Sequence, residues 1–85
     1  MSLFNDFFVK EEAEKYKDII KEKLSGQIIS KRKIDDGKPG SLRYEAEKLN
    51  IEEFDLFTLL QALEGMCHPS IGMAQEIDDS HYKVL

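Results

Sequence analysis

Val9, Ala13, Tyr16, Ile20 and Leu24 recur every three or four residues, with charged side chains filling most of the positions between them. That spacing predicts a helix from about Asn5 to Leu24 with one apolar stripe, which the rest of the chain must cover. Asn5 or Asp6 can cap its start and Ser25-Gly26 its end. Glu11 with Lys15, Glu14 with Lys17 and Asp18 with Lys21 fall at helical pairing distances and add ~1 kcal/mol in total. Phe4 falls off the stripe, and Phe7 lies ~160° around the helix from Val9. With Phe8, these rings either pack on the domain's own core or meet a second copy of the chain.

Size sets the next limit. A domain of 85 residues buries only roughly 60–65% of the surface its unfolded form exposes, so nearly every apolar residue is needed for one modest core. That leaves little room for a large enzyme pocket. A composition of 41% hydrophobic and 34% charged residues is that of a soluble globular domain. Cys67 is the single cysteine, so neither an internal disulfide nor a cysteine-paired zinc site is available, and a reducing cytoplasm is the economical expectation. The N-terminus lacks the basic and apolar regions of a secretory signal, and no apolar run approaches the ~20 residues that span a bilayer. Residues 1–4 read as a flexible or vector-derived start.

The net charge of −5 is unevenly placed. Residues 1–48 hold eleven basic and ten acidic side chains, whereas residues 49–85 hold Lys83 against seven acidic ones. Lys31, Arg32, Lys33, Lys38, Arg43 and Lys48 gather around a turn, with Asp35, Asp36, Glu45 and Glu47 interleaved. Such a mixture reads first as a solvated surface and second as a nucleic-acid contact.

Beyond the first helix, residues 27–34 read as a short strand or extended segment, with a continued helix as the competitor; Gly26 and the paired isoleucines favour the strand. Turn residues are dense from Asp35 to Gly40, and Ser41 can cap a short helix over Leu42–Leu49. Asn50 with Glu53 makes a capping-box pattern, and Leu49 with Phe54 a hydrophobic staple, so a third helix is predicted from Ile51 with Gly65 as its C-cap. Residues 73–77 and 81–85 then flank Asp78-Asp79-Ser80 as a hairpin.

That order, together with the stretch from Glu45 to Gly65, resembles the winged helix-turn-helix superfamily. Its two helices cross at a small residue, here Ala46; Leu49 and Ile51 match the apolar positions around the turn, and Leu56, Leu60 and Leu63 the buried side of the second helix. Asn50 stands at the turn, where the family often has Gly. The resemblance implies a short strand joining a β-hairpin wing, and in many members a second helix that enters the DNA major groove.

The chain departs from that last expectation. No Lys or Arg occurs from Leu49 to Tyr82, and Glu52, Glu53 and Asp55 would meet a duplex carrying one charge per ~1.7 Å without any counterion release to offset the repulsion. Asp78-Asp79 makes the wing tip acidic too. The same helix face instead predicts a protein contact, with Phe54 and Phe57 as an apolar patch, Glu52, Glu53 and Asp55 as its rim and Gln61 alongside. The competing reading buries Phe54 under Leu49 and Phe57 against the first helix.

Cys67-His68, with His81 and Asp78 or Asp79, is the one cluster that could hold a metal or activate a thiol, but it lacks ligand spacing and an orienting third group. Gly37 and Gly40 flank Pro39 without the spacing of a phosphate loop. The expectation is a single α+β, winged-helix-like domain over residues 1–85, with three helices, a short strand and a C-terminal hairpin. It would be a cytoplasmic bacterial protein without catalytic activity, cofactor or metal, acting on a protein partner or a second copy through Phe54, Phe57 and their acidic rim. The alternative is a DNA-binding regulator using Lys31, Arg32, Lys33, Lys38 and Arg43.

Overall fold

The computed structural model describes residues 3–31, 37–52 and 54–85, with side chains from Lys10 onward. The elements run α1 (Leu3–Leu24), β1 (Ile28–Ser30), α2 (Leu42–Leu49), α3 (Leu56–Met66), β2 (Ala74–Asp78) and β3 (His81–Val84). The three strands form one antiparallel sheet in the order β1-β3-β2, so the first strand lies beside the last. The domain is thus α+β, with three helices and a small sheet.

The stripe read from the sequence buries Ala13, Ile20 and Leu24 completely and Tyr16 in part. α1 packs chiefly against α3, which contributes Leu59, Ala62, Leu63 and Met66 to the same core. Leu42, Ala46 and Leu49 of α2 and Ile29, Ala74, Tyr82 and Val84 of the sheet complete it. α1 ends at Gly26, whose φ of 82° is open to glycine at no steric cost. Its N–H donates to the Val84 carbonyl, so the turn that stops the helix also delivers the chain to the sheet.

The strand reading holds for Ile28–Ser30; Gln27 and Lys31 flank the strand, and residues 32–34 lie outside the described ones. β1 covers three residues, and Ser30 N–H donates outward to the Gly40 carbonyl. Arg32, Lys33 and Asp35-Asp36 lie outside the described residues. The hairpin starts one residue later than expected and pairs Glu76 with Tyr82 but Asp78 with His81, leaving Ile77 as an extra residue in β2.

The boundary between α2 and α3 differs from the capping-box expectation. Ser41 caps α2 as its sequence suggests, accepting from Tyr44 N–H at 3.2 Å. Asn50, however, closes α2 rather than opening α3: its φ and ψ of 50° and 44° are left-handed, and its N–H reaches the Glu47 carbonyl. Asparagine serves both roles, as an N-cap acceptor and as one of the few side chains that tolerate this region, so its identity alone did not choose between them. α3 starts five residues later, at Leu56, with extended Asp55 as its cap. The Glu53 half of the box lies outside the described residues. Gly65 is likewise not a C-cap but a buried residue inside α3, which continues to Met66 and closes at Cys67.

The buried side of α3 is also rotated from the expected Leu56, Leu60 and Leu63. Leu59, Ala62, Leu63 and Met66 are fully buried, while Leu56 and Leu60 are only half-buried. The apolar arc of this helix is wide enough for either solution, and Met66 extends the observed stripe by another turn.

The left-handed Asn50 gives a direct test. Asn50→Gly should preserve or slightly raise stability, whereas Asn50→Val should cost about 1–2 kcal/mol in urea unfolding, because a branched side chain is strained there. An N-cap at this position would instead make Asn50→Gly lose about a few tenths of a kcal/mol, because glycine lacks the side-chain acceptor, and would leave Asn50→Ser close to neutral.

Candidate functional site

The rotation of α3 places Phe57 nearly opposite the buried stripe, at ~100° per residue from Leu56 and far from Leu59 and Met66. Phe57 is 66% exposed, the most exposed of the large hydrophobic side chains among the described residues. The reading that buries it against α1 is therefore incorrect. Phe54 behaves differently: it is half-buried, and its ring meets Tyr16 of α1 edge-on at 4.9 Å between centroids. Tyr16 is thus its aromatic partner, a contact that the staple reading did not foresee, and α3 starts after Phe54.

Two depressions flank Phe57. One, of about 740 Å³, is walled by Arg43, Ala46 and Glu47 of α2 on one side and by Phe54, Asp55 and Leu56 on the other, with Asn50 and Ile51 closing one end. The second, of about 230 Å³, is lined by Leu42, Leu56, Phe57 and Leu60, all apolar. Leu56 and Leu60, assigned to the core from sequence, are thus part of this surface, as is Ile51. Gln61 is half-buried; Glu47 and Asp55, which line the groove, are exposed, as is Glu52 of the connecting segment.

Asp55 does two things. Its Oδ1 accepts from Thr58 N–H at 2.8 Å, satisfying one of the unpaired donors of the first turn of α3. Those hydrogen bonds, from Thr58 first, hold its carboxyl below the usual carboxylate range. It therefore stays ionised at the groove while capping the helix.

Among the described residues, Lys31, Lys38 and Arg43 do not line a common depression. Lys31 turns back onto its own sheet, with Nζ on the Glu76 carboxylate and 4.4 Å from the centre of the Tyr82 ring. Lys38 lines a separate depression with Ile28, Ser30 and His81, whereas Arg43 lines the groove beside Phe57. Arg32 and Lys33 lie outside the described residues, as do the side chains of Phe4, Phe7 and Phe8, so neither the full basic turn nor the aromatic N-terminus enters this geometry.

Glu45, read from sequence as part of a solvated patch, is 2% exposed. Its Oε1 accepts from Gly40 N–H at 3.2 Å and its Oε2 lies 3.4 Å from Lys48 Nζ. The side chain ties the loop before α2 to the helix, a role that becomes visible only once Gly40 is brought back onto α2.

The cysteine cluster does not assemble. His68 Nδ1 faces Ser70 Oγ at 3.1 Å, and His81 Nδ1 pairs with Asp78 at 3.0 Å. Burial, with Glu76 adding to it, pushes the Cys67 thiol up to about 11, the opposite of what a nucleophile requires. No group of three or more metal-ligating side chains occurs among the described residues. No described helix is long and apolar enough to cross a membrane. Compared with protein-family models, curated proteins and solved structures, the chain has no match.

The capping role of Asp55 makes a pH-dependent prediction. Asp55→Ala should lower stability by about 1 kcal/mol near neutral pH, while Asp55→Asn, which also caps, should lose less. Since the folded carboxyl sits below its unfolded value, its contribution is complete above about pH 4 and is lost as pH falls through the lower folded value. Unfolding curves of wild type and Asp55→Ala should accordingly converge only below pH 4.

Proposed function

We propose that this chain is a protein-interaction module on a winged-helix-like scaffold, with Phe57 as the centre of its contact face. The observation that carries the reading is the exposure of Phe57 at the edge of two depressions, one lined by apolar side chains alone and the other by a mixture of apolar and charged ones. Fully burying a phenylalanine is worth roughly 1.5–3 kcal/mol, so covering a ring this exposed supplies a substantial anchor for a partner. Half-buried Ile51, Leu56 and Leu60 surround it, and exposed Glu47, Glu52 and Asp55 supply a charged rim. An apolar centre with a polar border is the usual anatomy of such a surface.

The scaffold part of the proposal rests on the element order and on β1 lying beside β3, the arrangement that the resemblance implies. A left-handed Asn50 at the turn between α2 and α3 also fits a position where that family often carries glycine. The function usually associated with the fold does not follow. The exposed side of α3 carries Phe57, Gln61 and Glu64, and its approach to a duplex would bring carboxylates without cations. Engagement of Lys31 with Glu76 and Tyr82 further weakens the regulator reading, because that cation is already committed within the chain. Neither cofactor nor catalytic group is required by a contact module.

The reading is tested by replacing Phe57 with a photo-crosslinking phenylalanine analogue in the native cells. Irradiation should yield a discrete protein adduct that is absent when the analogue replaces exposed Lys21 of α1. No adduct at position 57, or one removed by nuclease, overturns the proposal. Separately, the wild-type chain should not retard duplex DNA at about 50 mM salt, where a phosphate-driven contact would be strong. Tight binding that weakens steeply as salt is raised would favour the regulator instead.

A further inference from the structure

The groove around Phe57 has walls made only of helices and the short segment joining them, and this limits what can occupy it. Helical backbone groups are already paired within their own segments, so an extended peptide would find no sheet edge here to satisfy its N–H and C=O groups. An occupant that is itself helical brings those groups already paired. Side chains three or four residues apart on such a helix stand about 5–6 Å from one another, the width of an aromatic ring. Two of them can therefore straddle Phe57, one entering the apolar depression of Leu42, Leu56 and Leu60 and the other resting on Ile51 and Phe54.

Charge adds a second restriction. Glu47 and Asp55 line the groove and are exposed, Glu52 is exposed next in sequence to the lining residue Ile51, and the sequence has no Lys or Arg from Leu49 to Tyr82. Arg43 does line the opposite wall, but it is itself engaged within the chain. An apolar helix bordered by carboxylates would meet like charge on approach, whereas one bordered by Lys or Arg would be drawn in. We infer that the occupant of this face is an amphipathic helix of a partner protein, with aliphatic residues at i and i+3 or i+4 and basic residues on their flanks. This deepens the proposed function, on which it rests, by naming the chemistry of the partner.

Three synthetic peptides of about 16 residues test it against the full chain. One carries leucine at i, i+3, i+4 and i+7 with lysine flanks, the second has the same leucines with glutamate flanks, and the third is the lysine peptide with two central prolines. Binding is read by fluorescence anisotropy and by amide chemical-shift changes. The lysine peptide should bind at least about tenfold more tightly than the other two, with shifts concentrated between residues 42 and 61. Phe57→Ala, at an exposed position and therefore still folded by circular dichroism, should weaken it about tenfold or more. The pair Glu47→Lys and Glu52→Lys should reverse the preference in favour of the glutamate peptide.

Equal binding of the two helical peptides, better binding of the proline peptide, or no binding by any of them overturns the inference. A concentration-dependent dimer of the chain alone that Phe57→Ala abolishes also overturns it, since the face would then be covered by a second copy. If the peptides fail while position 57 still crosslinks to a protein, the contact face stands and only the assigned occupant is wrong. If both fail, both readings fall.

Discussion

The packing of α3 on α1 determines most of what this chain presents to its surroundings. A small domain has few ways to cover a helical stripe as long as that of α1, and here Leu59, Ala62, Leu63 and Met66 do it. Choosing that side of α3 commits the opposite side to solvent. Phe57 is outside because those four residues are inside, and Leu56 and Leu60 are left on the shoulder between α3 and α2. The exposed surface around Phe57 is therefore a by-product of core packing. The edge-to-face contact of Phe54 with Tyr16 anchors the connecting segment just before α3 and so helps fix where the helix begins.

Electrostatics in the domain divides by location. Two cations from the first half of the chain are spent on internal tasks: Lys48 faces buried Glu45, and Lys31 braces the sheet through Glu76 and the Tyr82 ring. In the second half the described carboxylates are all exposed, with Glu76 held by Lys31, Asp55 at its cap and Asp78 beside His81. The overall charge thus understates how acidic the α3 side of the domain is.

Much of this fold was legible in the residues. The stripe from Ala13 to Leu24, the cap at Ser41, the short strand and the hairpin are all local signals, and each was found where its pattern indicated. What failed were the choices that local pattern leaves degenerate. Asn50 suits the end of one helix as well as the start of the next, and only the path of the intervening residues decides which. The apolar residues of α3 occupy so much of its circumference that two rotations satisfy the period, and the contact with α1 selects one. Of the site, Phe57 and its acidic neighbours could be named from sequence, but Ile51, Leu56 and Leu60 could not, because an apolar residue on a helix reads as core until its packing partner is known. Buried Glu45 was hidden for a similar reason: its partner Gly40 N–H is supplied by a loop.

The outer edges of the sheet have a consequence for the life of this protein at high concentration. β1 has its outer side occupied by the carbonyl of Gly40, which accepts from Ser30. β2, at the other end, has its regular ladder interrupted by the extra residue Ile77 and carries Glu76 and Asp78 on either side of it. A second molecule seeking to extend the sheet would thus meet a covered strand at one side and a bent, negatively charged one at the other. Among the described residues, the aromatic ring left uncovered on the helices is thus not accompanied by a long, regular sheet edge.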